Sequence, residues 1–325
     1  MQERQIAPGV WAYLAGRGGW GWSNAGLVAG DGGAGLLFDT RMTLAQGREL
    51  VEAAHAHTPR LEAAVYSHGN ADHTWGSWAL GEDTRIVASA ATAEELSHEV
   101  TPAGLRAVMG AGEAAEQEGS AAGSGAAYFR EHMGWVDTTG LPDEGPRRPD
   151  TTYTGRTELA VGGRDTELIQ VGPAHTAGDT VLHVPDAGVV FGGDVLFFED
   201  HPISWGHPLT GWLQALRTLL DTGAHTFVPG HGPVVGRTEV ADLLAYLEKL
   251  HSYAADSAAA GLPLAEAAAR MPTDARWQQP ERAASVLLAG YRAEGAGEQL
   301  HQMGIADLIA GMRRDLGGGA GNAQD

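Results

Sequence analysis

The chain has 325 residues, enough to bury a substantial core as one large domain or as a domain with an appendage. Its formal net charge of −20 disfavours nucleic acid and anionic membranes as partners, and its lack of cysteine excludes disulfides, thiolate ligands and cysteine nucleophiles. It shows no apolar run of the ~18 residues that a membrane helix needs and no secretory profile at the start, so a cytoplasmic location is expected.

The first part of the chain is predicted to contain short strands and one capped helix. The predicted strands span 10–14, 23–28, 35–38, 61–66 and 85–89. Thr43 and Gln46 form a capping-box sequence and are followed by apolar residues at helical spacing, which predicts a helix over 43–56.

Strands and helices continue in the second half. Further strands are predicted at 166–171, 181–184, 188–192 and 226–228. The spacing of Trp212, Leu216 and Leu219 predicts a helix, and residues 239–316 have the apolar stripes of several more. This mixture predicts an α/β layered domain.

Two regions lack a clear period. Residues 97–150 contain the Gly/Ala/Ser-rich piece 119–127, and a loop this long in a compact domain is usually a functional lid or disordered. The tail, 317–325, is expected to be disordered.

A cluster of metal-ligand residues directly follows the predicted strand 61–66. His68, Asp72 and His73 lie within six residues, and imidazole and carboxylate are the groups that divalent metals such as zinc prefer. The spacing predicts a metal site at the mouth of this strand.

Four more candidate residues lie at the ends of other predicted strands: Asp39, His175, Asp194 and His231. One such histidine alone is more often a surface or core residue, but four histidines and three aspartates at strand ends together predict a shared site. Five other histidines, on predicted helices or turns, are interpreted as solvated or capping residues: His55, His57, His225, His251 and His301.

The segment from His68 to His73 resembles the His-x-His-x-Asp-His signature of the metallo-β-lactamase superfamily, with Asn70 in place of the second histidine. The resemblance covers roughly residues 7–236 and includes all the strand-end motifs in family order. It implies an αββα sandwich over 1–236, with 97–150 as a lid-like insertion, followed by a C-terminal helical extension over 237–316.

The resemblance also implies two metal positions that share Asp194. The first uses His68, position 70 and His175, and the second uses Asp72, His73 and His231. Asp39 is expected behind the ligands, where it orients them by hydrogen bonds. Asn70 is expected to bind weakly or not at all, because an amide oxygen is a poor neutral donor for zinc.

This reduced ligand set leaves several functions open. One or two Zn²⁺ ions would support a hydrolase that attacks a small organic ester, thioester, lactone or amide with metal-activated water. If the first metal position is vacant, Asp72 would accept or hold the proton of the nucleophile, and Asn70 would bind substrate or leave a coordination position open.

Two alternatives remain beside the hydrolase. His68, His175 and Asp194 are the two histidines and one carboxylate that favour a non-haem Fe²⁺ oxygenase, and persulfide dioxygenases of the superfamily use the equivalent trio. The second alternative is a non-catalytic ligand-binding member of the fold.

The predicted partner is a small molecule. Trp75, Phe197, Trp205 and His207 are expected to line an apolar or aromatic substrate pocket, with Trp20, Trp22 and Trp78 as further candidates. The C-terminal helices are expected either to cover the pocket mouth or to form a homodimer interface.

Overall fold

The computed structural model describes residues 1–16, 18–120, 124–271, 274, 276–296 and 302–319. Its first sheet has seven strands in chain order, antiparallel from β1 to β4 and parallel from β4 to β7. These strands are β1 (Gln2–Ala7), β2 (Val10–Leu14), β3 (Ala25–Ala29), β4 (Ala34–Phe38), β5 (Arg60–Val65), β6 (Arg85–Ser89) and β7 (Thr151–Tyr153).

The second sheet has five strands and faces the first. Its strands are β8 (Arg156–Val161), β9 (Arg164–Gln170), β10 (Thr180–Val184), β11 (Val189–Phe197) and β12 (Thr226–His231). Only β11 and β12 pair in parallel, and the order across the sheet is β12, β11, β10, β9, β8. Buried side chains from both sheets, among them Leu36, Val65, Leu168 and Phe191, form one core cluster.

Helices cover the outer faces of both sheets. Helix α1 (Leu44–His55) packs Leu50 and Ala54 on the first sheet, and the short helices α2 (Ala71–Thr74) and α3 (Ala90–Glu95) follow β5 and β6. Helix α6 (Leu209–Asp221) covers the second sheet, where the fully buried Trp212 donates to the Val195 carbonyl at 2.9 Å. The predicted α/β sandwich is therefore confirmed.

Local sequence signals account for the elements that were predicted well. The capping box at the start of α1 is present, with Gln46 N donating to Thr43 Oγ1 and Thr43 N donating to Gln46 Oε1, both at 3.1 Å. By contrast, β1 was missed because its first four residues are polar and exposed along a sheet edge, so no alternation marks it.

The expectation of a long loop over 97–150 was wrong for the two segments of that region that are helical. It contains helices α4 (Pro102–Gln117) and α5 (Gly125–Met133), which pack against each other. Gly112 of α4 lies against the Ala126 carbonyl of α5. A Cβ atom at Gly112 would be only 3.0 Å from the Arg130 Cβ. Small residues permit this close approach, and they also dilute the apolar period that reveals a helix. Residues 121–123 of the Gly/Ala/Ser-rich piece lie outside the described ranges.

The C-terminal helices are α7 (Arg237–Ala259), α8 (Leu264–Arg270), α9 (Ala283–Ala293) and α10 (Gln302–Gly319). Helix α9 is buried along most of its length, and α10 packs against α5. Because α10 reaches Gly319, it includes the first residues of the predicted tail, and residues 320–325 lie outside the described part. The domain division at 236 stays a prediction. Within the described ranges, no helix has the length and apolarity to cross a bilayer.

Candidate metal centre

Asp39 ties the end of β4 to the loop that follows β5. Its backbone is left-handed, with φ 64°, and its carboxylate accepts from Ser67 N at 2.7 Å and from Ser67 Oγ and His73 Nδ1 at 2.8 Å. Burial raises the pKa of Asp39, although the hydrogen bonds from His73 and Ser67 oppose that. Since Nδ1 of His73 donates to Asp39, the other ring nitrogen, Nε2, is directed into the site.

A separate loop after β9 positions His175. His175 Nδ1 donates to the Ile203 carbonyl at 2.7 Å. Two acids fix the loop. The buried Asp179 accepts from Ala174 N and Thr176 N, and the half-buried Glu95 of α3 accepts from the backbone N–H groups of 177 and 178. Neither acid was identified from the sequence, because only the folded chain brings them to this loop.

Asp194 and His231 were expected just past strands but lie on them, within β11 and at the end of β12. The pairing of β11 with β12 shifts register around Gly193, which has φ 51°. The Asp194 carboxylate lies directly against Gly230 of β12, in space that the Cβ of any other residue would occupy. This local irregularity lets a strand residue present its carboxylate to the site.

The six residues predicted as ligands converge in two groups: His68, His175 and Asp194 in one, and Asp72, His73 and His231 in the other. Within each group the candidate ligand atoms all lie within 4.8 Å of one another. Asp194 lies between the groups, with Oδ2 3.5 Å from His175 Nε2 and 3.3 Å from His231 Nε2, and Oδ1 3.1 Å from His73 Nε2.

Asn70 presents its amide oxygen to the first group. Trp205 Nε1 lies 2.8 Å from Asn70 Oδ1, and because an indole N–H can only donate, the atom that it meets must be the oxygen. The same oxygen lies 3.1 Å from His68 Nε2 and 2.9 Å from His175 Nε2. Asn70 Oδ1 thus sits where a third ligand of the first position would sit.

The protonation of the two histidines around Asn70 fits a bound cation. Burial lowers the pKa of His175 to about 4, so the ring is neutral and its only proton is on Nδ1, facing Ile203. Burial and the charge of His73 lower the pKa of His68, and because the Ser67 hydroxyl donates its proton to Asp39, it accepts from Nδ1 of the neutral His68 ring. Both Nε2 atoms therefore direct lone pairs at the Asn70 oxygen. A metal ion between them would relieve this repulsion.

The second group has the opposite charge pattern. Burial would lower the pKa of His231, but Asp194 and Asp72 raise it to about 9, and the same carboxylates with Asp39 raise the pKa of His73 well above its usual value. Burial would raise the pKa of Asp72, but the charges of His73 and His231 hold it at about 2. His73 Nε2 and Asp194 Oδ1, although close, lack the alignment of a hydrogen bond. Here the positive charges of the two protonated imidazole rings balance the negative carboxylates. A divalent cation would supply the same balance.

A cavity of about 610 Å³ opens onto both groups. Of the residues predicted to line it, Phe197, Trp205 and His207 do so, and Phe197 stacks on His231 with ring centroids 5.1 Å apart. Trp75 is not among the lining residues. It is 1 % exposed and packs in the hydrophobic core, because it follows the short helix α2 on the inward side.

Sequence reasoning missed most of the cavity wall that comes from distant elements. These lining residues include Glu95, His98, Phe129, Met133 and Arg282. They belong to the region 90–133 and to the C-terminal helices, and no spacing in the sequence relates them to the histidine motifs. Trp20, a further candidate, does line the cavity.

Two facing sheets, with a cluster of histidines and aspartates that could hold a metal ion on one cavity, define an αββα fold. The model of the metallo-beta-lactamase superfamily matches residues 18–231, and the chain belongs to this superfamily. The resemblance read from the motifs is therefore confirmed. The superfamily is mainly enzymatic and generally binds divalent metal ions.

Several known proteins are similar to this chain. The alpha subunit of 2,4-dinitroanisole O-demethylase from Nocardioides sp. (strain JS1661) is 26% identical over 208 residues, which are 63% of this chain and 51% of that protein. The sec-alkylsulfatase from Pseudomonas sp. has a TM-score of 0.63 at 19% identity, covering 99% of this chain and 52% of the other. The chain thus spans about half the length of each.

A third similar protein has nearly the same extent as this chain. A metallo-beta-lactamase family protein from Thermus thermophilus has a TM-score of 0.60 at 20% identity, covering 90% of this chain and 96% of the other. At such identities the solved structures show the shared fold.

Proposed function

We propose that this protein is a metal-dependent hydrolase of a small organic ester, thioester, lactone or amide. The observation that carries the proposal is the convergence of two ligand groups on Asp194 in a cavity of about 610 Å³. That volume suits a small organic molecule. The O-demethylase and the alkylsulfatase are named for reactions on such molecules, which supports this substrate class.

The residues for two metal positions are His68, Asn70 and His175 for the first, Asp72, His73 and His231 for the second, and Asp194 for both. Divalent ions bound there would acidify water and polarise the electrophilic centre. The orphaned atoms of His73 and Asp194, and the opposed lone pairs around Asn70, fit such ions.

The chain's own residues would then orient the reactants. Asp72 Oδ2 lies 3.3 Å from His231 Nε2, and Asp72 also lines the cavity. Without metal the charges of His73 and His231 hold its pKa at about 2, and a bound cation would likewise favour the carboxylate, which would accept a hydrogen bond from a nucleophilic water. Phe197 and Trp205 would exclude bulk water from the same end of the cavity.

Turnover of a panel of activated substrates tests this proposal. Protein reconstituted with zinc should hydrolyse at least one nitrophenyl ester, thioester, lactone or anilide, with or without oxygen, and chelation should abolish the activity. His231→Ala should lose it, whereas His225→Ala, at an exposed position outside the site, should retain it. Metal-replete protein that turns over none of these classes would contradict the proposal.

One observation supports a second candidate. His68, His175 and Asp194 form a group of their own, with the two-histidine, one-carboxylate composition of non-haem Fe²⁺ oxygenases. Oxygen uptake that requires substrate and iron, without hydrolysis by the zinc form, would favour this candidate. Substrate binding that persists in metal-free protein, with no turnover in either metal form, would favour a non-catalytic binding protein instead.

A further inference from the structure

A buried arginine without a carboxylate partner forms part of the cavity wall. Arg282 ends the short turn Pro280–Arg282 before α9, is 2 % exposed and lines the cavity. Its guanidinium makes one long hydrogen bond, from Nη1 to the His201 carbonyl at 3.4 Å, and its Nε has no partner. In the described part of the chain no carboxylate forms an ion pair with it. A buried, uncompensated guanidinium strongly favours the binding of an anion.

The nearest acidic side chain in sequence does not compensate Arg282. Glu281 accepts a hydrogen bond from the Tyr128 hydroxyl at 3.0 Å, and Tyr128 in turn accepts from Trp20 Nε1 at 3.2 Å. These bonds hold Glu281 and fix the indole of Trp20 against Arg282, whose Cζ lies 4.6 Å from the ring centroid. The cation is thus held in place by a π contact and keeps its charge-assisted hydrogen bonds for a ligand.

An aromatic wall connects this arginine to the metal centre. The centroid of the Trp20 ring lies 5.2 Å from that of Phe129 and 6.2 Å from that of Trp205. Trp205 in turn donates a hydrogen bond to Asn70. All three aromatic residues line the cavity. A molecule in this cavity would meet aromatic rings along its body, ligand groups at one end and a guanidinium beside Trp20.

The charges of the cavity are separated. Among the described lining residues Arg282 is the one arginine or lysine. The acidic lining residues all lie towards the metal centre: Asp72 and Asp194 belong to it, Glu95 accepts hydrogen bonds from the loop that carries His175, and Glu99 lies against Gly69 of the histidine motif. Such a distribution favours one orientation of an anionic ligand, with its charge at Arg282.

We propose that Arg282 and Trp20 form an anion subsite, and that the substrate is an aromatic or other apolar organic molecule with one anionic group. This inference rests on the proposed function for its substrate, since it places the scissile bond at the metal centre and the anionic group at Arg282. The planar guanidinium suits a carboxylate, sulfonate or sulfate, which it can bind with two parallel hydrogen bonds.

A pair of matched probes tests the subsite. Naphthalene-1-sulfonate and neutral naphthalene-1-sulfonamide have nearly the same shape and are titrated calorimetrically into metal-depleted protein, so that no metal contributes. The wild-type protein should bind the sulfonate at least about tenfold more tightly than the sulfonamide. Arg282→Gln should abolish this preference. Arg282→Lys should retain part of it, because lysine keeps the positive charge but cannot donate two parallel hydrogen bonds from one planar group.

Arg313→Gln is the matched control. Arg313 also lies over an aromatic ring, that of Tyr128 at 5.6 Å, but it is paired with Glu131 at 2.7 Å and does not line the cavity. Its replacement should leave the sulfonate preference unchanged. The far-UV circular dichroism and melting temperature of each variant show whether it is folded.

A measurement on the unaltered protein covers the case in which the Arg282 variants do not fold. The sulfonate, but not the sulfonamide, should protect Arg282 from modification by phenylglyoxal, as read by peptide mass spectrometry. Equal affinity for the two probes, a preference that survives in folded Arg282→Gln, or unprotected Arg282 would overturn the proposal. Because the protein is metal-depleted, these results are independent of whether the metal-loaded protein proves to be a hydrolase.

Discussion

At the residue scale, Asn70 distinguishes this site from the superfamily signature. The sequence predicted that position 70 binds metal weakly or not at all, because its amide is neutral. That stays a prediction, and the structure adds that Trp205 directs the amide oxygen between His68 and His175. An indole donor 135 positions away decides the orientation, and no sequence pattern could reveal it.

Replacing Asn70 tests its part in the first metal position. Asn70→Ala should lower metal affinity there about 10- to 100-fold, because one ligand and its link to Trp205 are lost. Asn70→His should raise zinc content towards two per chain but reduce native turnover, since the imidazole displaces the oriented amide. Metal analysis and steady-state kinetics measure both effects. If neither variant alters either quantity, position 70 has no role.

Metal uptake should depend on pH in a defined direction. In metal-free protein His231 holds its proton up to a pH of about 9, and His73 also titrates well above its usual range. A metal ligand must be a neutral imidazole, so binding at pH 7 should release protons and the apparent affinity should rise from pH 6 to pH 8, by about tenfold per pH unit for each proton displaced. Calorimetry in buffers of different ionisation enthalpy counts the protons. Affinity that is constant or falls over this range would contradict the charge assignment.

At the element scale, residues in helices hold the loops that carry the ligands. The carboxylate of Glu95, at the end of α3, accepts hydrogen bonds from two backbone N–H groups of the loop that carries His175. The sequence predicted His175 as a ligand but not this support, because carboxylate-to-backbone bonds between distant segments leave no spacing pattern. The same limit applies to α4 and α5, where small residues at the helix contact weaken the periodic signal.

Glu95→Ala tests the support of the His175 loop. Loss of both hydrogen bonds should loosen the loop and weaken metal binding at the first position about tenfold, with a smaller effect at the second. Glu94→Ala is the control, since Glu94 is the exposed neighbour on the same helix. Metal titration of the two variants measures the difference, and equal affinities would show that Glu95 does not position His175.

Helix packing in the C-terminal region can be tested with two glycines. A Cβ at Gly290 of α9 would collide with the Cβ of Ala254 on α7, whereas a Cβ at Gly110 of α4 would meet no described atom within 4 Å. Gly290→Ala should therefore lower the free energy of unfolding by about 1–3 kcal/mol, and Gly110→Ala should raise it by about 0.5–1 kcal/mol. Urea denaturation measures both. Equal stabilisation by the two changes would contradict the α7–α9 contact.

At the scale of the whole molecule, the order of motifs was enough to predict the sandwich and the six converging candidate ligands. His68 and His231 are 163 positions apart. Both could be predicted as ligands because each lies at the end of a strand, and these strand ends meet at the same edge of the two sheets. The cavity wall was not predictable in this way. Phe129 lies on α5 and Arg282 directly before α9, and the packing of these helices is set by general apolar contacts rather than by a motif.

The account rests on the claim that these residues hold metal, and metal content tests it most directly. Protein purified without chelator and replenished separately with zinc and, anaerobically, with iron is analysed beside the double variant His73→Ala/His231→Ala. We expect at least one tightly bound ion per wild-type chain, with occupancy lost from the second position in the variant. Wild-type protein that retains no more metal than the variant after replenishment would contradict the account.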